Sequence, residues 1–439
     1  MDDRKRSSFF YGWVIVAISF ITVAVVYGIR YSFSVFYVPI LREFGWSRAD
    51  TALIFSINTL VYGVSAPIVG TLVDHLGPRK FMTSGIILLA IATAACSLSN
   101  QIWHLYILFG VLASFGICAT GYVPNATLIA RWFIKRRGTA FGLFAGGFGA
   151  AYVMVSGIEY LIGEIGWRGS FVALACLAIS ITPLIAIFQR LDPRDKGLLP
   201  DGESRETEAS PANMVTAEAL VVNQKWASEE WNLPKAIKTY RFWFLFLGDM
   251  LMWGIAMSLI LAHQVAFAVD EGYSQTFGAF IFSLFGVFYG LGNILGFTSD
   301  RLGRESTVTI GLTLTVLGVL MLILNRGDHT PWLMYSYSLL CGVGMGIVSP
   351  VYTAAVADLF QGKNFGSING LITSGFGLGG CISPWLGGKI FDVLGTYIPA
   401  FYLVVATLAI SVSCIWIAGP RQIRRVAGKA LKPTHGPRA

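Results

Sequence analysis

The chain has 439 residues, 55% of them hydrophobic and only 13% charged, with a mean hydropathy of +0.65. Soluble domains carry about 25% charged residues, so an ordinary water-facing surface is excluded and the excess apolar area must meet lipid. The net charge of +8, from 32 Lys+Arg against 24 Asp+Glu, is spread over loops and reads as a topology signal, with no nucleic-acid patch implied.

A hydrocarbon core of about 30 Å takes about 20 helical residues to cross. Apolar runs of that length fall at 13–40, 51–73, 80–98, 103–131, 138–163 and 168–190, then at 240–268, 277–299, 306–325, 331–358, 365–391 and 396–418. The pattern predicts an all-α integral membrane protein with twelve transmembrane helices in two six-helix bundles. The expected division is an N-terminal bundle over 1–190, a cytoplasmic linker over 191–239, a C-terminal bundle over 240–420 and a cytoplasmic tail over 421–439. The first run is too long for a signal-peptide core, so it is expected to stay as an anchor. Basic residues crowd one side: Arg4, Lys5, Arg6, Arg79, Lys80, Arg131, Lys135, Arg136, Arg137, Arg301, Arg304, Lys363 and the tail. The other side has Arg42, Arg48, Arg168, Arg326 and Lys389. Both termini are therefore expected in the cytoplasm of a plasma membrane, here a bacterial inner membrane. In the linker, Asp192 to Ala212 has a mobile composition. Trp226, Trp231 and Leu233 suit a short interfacial helix.

The first span carries Arg30 within Val26-Tyr27-Gly28-Ile29-Arg30-Tyr31. A guanidinium inside a bilayer costs roughly 2.5–3.5 kcal/mol on insertion scales, so it should face a wet cleft or a counter-charge. Its planar fork fits a carboxylate, which makes Arg30, with Tyr27 and Tyr31 beside it, a candidate anion site. The structural alternative is snorkelling or an ion pair.

The second span ends in Gly70-Thr-Leu-Val-Asp74-His-Leu-Gly77-Pro-Arg79, and the eighth, 226 residues later, in Gly296-Phe-Thr-Ser-Asp300-Arg301-Leu-Gly303-Arg304. The same punctuation twice marks two homologous halves. In a membrane protein, two parallel repeats point to a transporter that rocks one half against the other. Arg79 or Arg301 is expected to pair with the two aspartates and hold one conformation shut; plain turn chemistry is the alternative.

In the fourth span Tyr122 and Asn125 sit one turn apart beside Pro124, and in the tenth Tyr352 follows Pro350. Bent helices of this kind line cavities, so these groups are candidates for orienting a solute or, more simply, for binding neighbouring helices. Glycines in the fifth and eleventh spans suit close packing. In the seventh span, Asp249 is a candidate counter-charge or proton carrier, and His263 can titrate near neutrality as a solute or proton group, or serve only as a structural hydrogen-bonder. The six cysteines form no CxxC and the five histidines no HExxH. No metal, cofactor or catalytic constellation is implied, and an enzyme or a sensor is disfavoured.

With these residues in view, the chain resembles a major facilitator superfamily transporter. Within that superfamily it is most similar to the monocarboxylate transporter and oxalate:formate antiporter group. The similarity rests on Tyr11-Gly12-Trp13, on Phe44-Gly45-Trp46-Ser47-Arg48, and on Arg131-Trp132-Phe133 with Arg136-Arg137-Gly138. His263 through Asp270-Glu271-Gly272 adds to it. The resemblance implies a monomeric secondary transporter of a small organic anion, driven by protons or by exchange, with Arg30 where relatives carry a basic residue. One departure stands out: Tyr289-Gly-Leu-Gly-Asn293-Ile-Leu-Gly296 lacks the Arg that such families place before this turn, and Lys389 lies at the outer end of its span. An uncharged or cationic solute, including drug efflux, is the competing expectation.

Overall fold

The computed structural model describes residues 10–133, 137–190, 193–196, 198, 221–325, 330–360 and 365–426. The side chains at 70, 71, 73–76, 130, 137–139, 194, 195, 365 and 366 are outside that description. Asp192, residues 199–212 of the linker, Lys135, Arg136, Lys363, Arg326 and the tail beyond 426 therefore lie outside the described residues, as do the side chains of Gly70, Asp74 and Arg137.

The described chain is helical throughout its spans, with one isolated bridge between Val221 and Arg424. The first half comprises α1 (Gly12–Phe44), α2 (Arg48–Leu76), α3 (Pro78–Cys96), α4 (102–132), α5 (137–165) and α6 (167–188). The second comprises α7 (Tyr240–Asp270), α8 (Gln275–Leu302), α9 (Arg304–Leu324), α10 (Pro331–Leu359), α11 (Phe365–Leu394) and α12 (Ile398–Ala418). Ten helical stretches are long and apolar enough to cross a membrane. One of these, the 49-residue Ala140–Phe188, is a double span that Gly166 divides at φ 72°. The glycine-rich α11 completes the twelve.

Several rods are broken where the sequence forces it. α4 breaks at Gly121, three residues before Pro124, while Pro350 lies inside a continuously helical α10; each proline removes a backbone donor. The α2–α3 and α8–α9 turns pass through Gly77 at φ 77° and Gly303 at φ 99°, a conformation that costs glycine nothing and an L side chain a good deal. Two eight-residue π-helical stretches, Tyr106–Ala113 in α4 and Met250–Met257 in α7, widen those helices at mid-span, a deviation frequent at functional sites.

Lipid tails are as apolar as leucine, so helices in a bilayer associate through close contact between small residues. The two halves meet along α2 against α11 and α5 against α8. A Cβ placed on Gly63 would come within 2.6 Å of the Gly377 Cα; neither position has room for a side chain. On the other seam, Ser156 Oγ shares a 2.8 Å hydrogen bond with Ser283 Oγ, and Ser283 Oγ donates to the Tyr152 carbonyl at 3.1 Å.

The linker's second part departs from the expected interfacial helix. It forms two single turns, Gln224–Ala227 and Leu233–Ala236. Trp226 Nε1 donates to the Leu359 carbonyl at 2.7 Å, and buried Trp231 packs edge-on to Phe360 at 5.2 Å. Both indoles seal the end of α10. Tyr240 and Trp243, each 53% exposed at the start of α7, occupy the aromatic-belt position instead.

Gly377→Val should drive its branched side chain into the α2 backbone and cost about 1–3 kcal/mol. Gly370→Ala, in open space on the same helix, should not. Thermal unfolding of the two purified variants checks this; equal melting temperatures would rule out the tight α2–α11 contact.

Candidate functional site

Arg30 sits two residues before Ser32, where α1 changes direction and Ser32 Oγ donates back to the Ile29 carbonyl at 2.7 Å. The guanidinium is buried, at 1% exposure. Its Nη2 donates to Thr59 Oγ1 at 3.1 Å, while Nε and Nη1 have no hydrogen-bond partner. Three ring faces surround it: the guanidinium carbon lies 4.7 Å from the centroid of Tyr62, 5.5 Å from Phe376 and 5.7 Å from Phe55. Aromatic quadrupoles stabilise a cation by roughly 0.5–2 kcal/mol each but accept no N–H hydrogen bond of ordinary strength. The rings and the one hydroxyl thus leave the Nε and Nη1 donors of a buried guanidinium unspent.

Phe55, Thr59 and Tyr62 present one face of α2, at helical spacings of four and three residues. Tyr27 extends the wall: its hydroxyl shares a 2.7 Å hydrogen bond with the Tyr62 hydroxyl and accepts from the Tyr122 backbone N–H at 3.4 Å. Tyr31 stacks on Tyr152 with centroids 4.4 Å apart and planes at 13°. Across the seam Tyr152 meets Tyr289 at 5.6 Å, and Tyr289 meets Trp253 at 6.4 Å. Tyr27, Tyr31 and Tyr122 are therefore assembled with Arg30.

Asp249 is buried, but it forms no pair with Arg30. Its Oδ2 accepts the backbone N–H of Phe376 at 3.1 Å, and the ring of that same residue covers the guanidinium. One residue of α11 thus touches both ionisable groups, which come from different halves of the molecule. Tyr352 lies on the Asp249 side, its hydroxyl donating to the Leu245 carbonyl at 2.6 Å.

Asn125 and His263 are occupied elsewhere. Pro124 cannot donate to the Thr120 carbonyl one turn earlier. Asn125 Nδ2 supplies that donor at 2.7 Å and also reaches the Gly121 carbonyl at 2.6 Å, while its Oδ1 accepts from Gln189 at 3.3 Å. The residue mends the break in α4. His263 lies fourteen residues along α7 from Asp249, about 21 Å at 1.5 Å per residue. Its Nε2 donates to the Pro384 carbonyl at 2.7 Å, and its ring packs against Tyr37 and Tyr397.

Above His263, at the end away from the chain termini, the halves are clasped. Arg48, the first residue of α2, places Nη2 2.6 Å from Asp270 Oδ1, donates from Nη1 to the Tyr397 hydroxyl at 3.0 Å, and lies 3.9 Å over the Phe391 ring. Asp392 of α11 accepts the backbone N–H groups of Arg48 at 3.1 Å and Ala49 at 2.9 Å. A carboxylate from one half therefore caps a helix of the other, satisfying orphan donors and meeting the positive end of the helix dipole. Gln275 donating to the Val35 carbonyl, Thr276 to Glu159 and the Trp385 N–H to Ser56 Oγ join the halves on this same side of Arg30.

The turn motif behaves differently from its expected pairing. Arg301 and Arg79 are exposed. The partner of Asp300 is Arg304, at 2.9 Å, which also donates through Nε to Asp358 Oδ2 at 3.0 Å. The correction follows from the turn: Gly303, at φ 99°, folds the chain back so that Arg304, the first residue of α9, reaches both Asp300 at the end of α8 and Asp358 of α10. Gly296 packs on Pro350, where a Cβ would lie 2.6 Å from the ring, so this turn ties α8 to the bend of α10.

Sequence reasoning passed over Thr59, Tyr62 and Phe376. The first two were accessible in principle from the α2 periodicity. Phe376, a lone aromatic between Gly375 and Gly377, carries no local sign of facing the other half.

The sequence profile of the Major Facilitator Superfamily matches residues 19–296 and 242–435. The chain is 24% identical to Monocarboxylate transporter 13 of Bos taurus over 408 residues, covering 91% of this chain and 87% of the relative. It is also 24% identical to Monocarboxylate transporter 2 of Homo sapiens over 417 residues, covering 93% and 84%. Among solved structures, a bacterial homolog of the human lysosomal transporter Spinster, inward-facing and unoccupied, superposes with a TM-score of 0.68 at 16% identity, covering 95% of this chain and 98% of that one. The nucleoside transporter NupG gives a TM-score of 0.70 at 11% identity, covering 93% and 100%. These two likenesses concern the fold.

Removing Arg48 and Asp270 singly and together should give a coupling of about 0.5–1 kcal/mol, since both side chains are roughly a quarter exposed. Asp392→Ala should cost about 0.5–2 kcal/mol, the loss of a helix cap. A double-mutant cycle in thermal unfolding measures the first; strictly additive losses would mean the clasp holds nothing.

Proposed function

The chain belongs to the Major Facilitator Superfamily, and on that premise we propose that this multi-pass membrane transporter carries a small organic anion of the monocarboxylate class by alternating access. The observation that carries the reading is Arg30: a buried guanidinium with Nε and Nη1 unpartnered and no carboxylate on it among the described residues. A charge in that position is costly unless something anionic meets it. A carboxylate fits a guanidinium bidentately, and the similarity to monocarboxylate transporters favours the same solute class.

In this reading Arg30 anchors the carboxylate, Tyr27, Tyr31 and Tyr122 line the cleft beside it, and Phe376 must move off the guanidinium as the anion arrives. That movement changes the donor held by Asp249, which makes Asp249 the proton carrier of a symport cycle. His263, remote from Arg30 and under the Arg48 clasp, serves the closure of that end. Tyr352 and Asn125 position backbone around the cleft. With both termini cytoplasmic, as the basic loops favour, the clasped end is the outer one. The motif residues Gly70, Asp74, Gly77 and Arg79, with Gly296, Asp300, Arg301, Gly303 and Arg304, form the inner gate, in which Arg304 holds the α8–α10 side.

Arg30→Ala should reduce uptake of radiolabelled monocarboxylates into proteoliposomes to below about 1% of the parent rate, because hydrogen bonds to charged groups contribute about 1.5–3 kcal/mol each. Arg30→Lys should restore only part of it, since the ammonium lacks the fork. Unchanged uptake in Arg30→Ala would remove the residue from the mechanism. Asp249→Asn should abolish accumulation driven by a pH gradient while sparing solute exchange across the membrane; gradient-driven accumulation persisting in that variant would favour an exchanger.

A second reading keeps the fold and changes the cargo. The uncharged stretch from Tyr289 to Gly296 and the many rings favour an uncharged or cationic solute. Competition against uptake by a panel of monocarboxylates separates the two, and failure of every acid to compete would select the second.

A further inference from the structure

Outside the central cleft, one concavity combines charge with an aromatic frame. It lies where the linker meets α7, has a volume of about 350 Å³, and is lined by Asn223, Lys225, Trp226, Glu229, Trp231, Lys235, Lys238 and Thr239. That volume is in the range of small-ligand sites. Its charge is unbalanced, with three lysines against one glutamate. Glu229 is already committed, since Lys235 Nζ pairs with it and also donates to the Glu230 carbonyl at 3.4 Å. Lys225 and Lys238 are exposed and have no partner among the described residues. The indole N–H groups are spent on Leu359 and Trp226 carbonyls, Trp231 is buried against Trp226 and Phe360, and Arg241 lies 5.2 Å over the Trp226 ring, so the indoles form an apolar floor and offer no donors.

The wall chemistry is thus two or three mobile ammonium groups over apolar rings. Lysine binds phosphate as a point charge without demanding a planar partner. The level is also informative: Ile237, Tyr240 and Trp243 beside the cavity are 37%, 53% and 53% exposed, an apolar and aromatic belt of the kind found at headgroup depth. Basic pockets at that depth suit anionic phospholipid. Thr239, on the pocket wall, also accepts from the Phe242 N–H at the start of α7, the helix that carries Asp249.

We infer that this pocket is a binding site for a phosphate-bearing anion, with Lys225 and Lys238 holding the phosphate and the exposed Ile237, Tyr240 and Trp243 beside it meeting the apolar stem. The headgroup of an anionic phospholipid in the leaflet on the side of the termini is the source the exposed belt favours. The site is independent of the transported solute.

The test uses the full-length protein and phosphatidylglycerol as probe, with adducts counted and titrated by native mass spectrometry. Lys225→Gln with Lys238→Gln should weaken phosphatidylglycerol binding roughly tenfold or more. Lys389→Gln, at the far end of α11, should leave it unchanged, and phosphatidylcholine adducts should be the same in all three proteins. A parallel titration adds millimolar inorganic phosphate. Displacement of the lipid adduct would assign the site to soluble phosphate compounds, and no displacement would assign it to lipid. If the double variant is not monodisperse, the single Lys238→Glu serves in its place. Phosphatidylglycerol affinity equal to the parent's in both lysine variants would overturn the proposal.

Discussion

A cation held at mid-membrane without a matching carboxylate is the constraint around which this molecule is arranged. Inside a low-dielectric interior an unpaired charge is far more costly than in water, and a polar network that is only half satisfied is worse than none. Arg30 is kept in that state by one threonine hydroxyl and three rings. The tyrosines that continue its wall bond to one another and to backbone, which leaves the guanidinium edge as the strongest unspent donor of the central layer. Asp249 is turned to the backbone amide of Phe376, the residue whose ring covers the guanidinium. A single residue, Phe376, keeps the two apart.

Among the described residues, the interface between the halves is asymmetric about that layer. On the Arg48 side it is stitched by ion pair, helix cap and side-chain hydrogen bonds, laid over glycine contacts that bring two backbones nearly into touch. Glycine seams let rods slide or tilt with little change in packed area, whereas the Arg48–Asp270–Asp392 cluster is local and directional. The first sets a smooth path for relative movement. The second supplies a discrete state along it.

Much of the architecture was legible in the chain because bilayer thickness fixes how long an apolar run must be. The expected spans and the observed helices agree to within a few residues at most ends, and the turns at Gly77 and Gly303 have the positive φ that the glycines imply. What escaped was everything decided by tertiary neighbours. Hydropathy does not distinguish Arg304 from Arg301 as the partner of Asp300; the path of the Gly303 turn does. Asn125 looks like a solute ligand until the missing donor of Pro124 is considered. His263 and Arg30 are both ionisable groups in apolar runs, but only the packed structure shows that the first is bonded to the Pro384 carbonyl beneath Arg48 while the second keeps two unpartnered nitrogens. Phe376 is invisible from its own helix, because its role comes from the opposite half.

The mending of α4 has a mechanical corollary. A proline break usually gives a helix a soft point at the expense of an orphaned carbonyl, so flexing there exposes a bare oxygen to lipid. The carboxamide of Asn125 is tethered by two rotatable bonds and grips two successive carbonyls at once. As the rod flexes, the side chain can follow the oxygens and exchange one grip for the other. The break is thus a joint with its own ligament, both of its carbonyls held by one side chain.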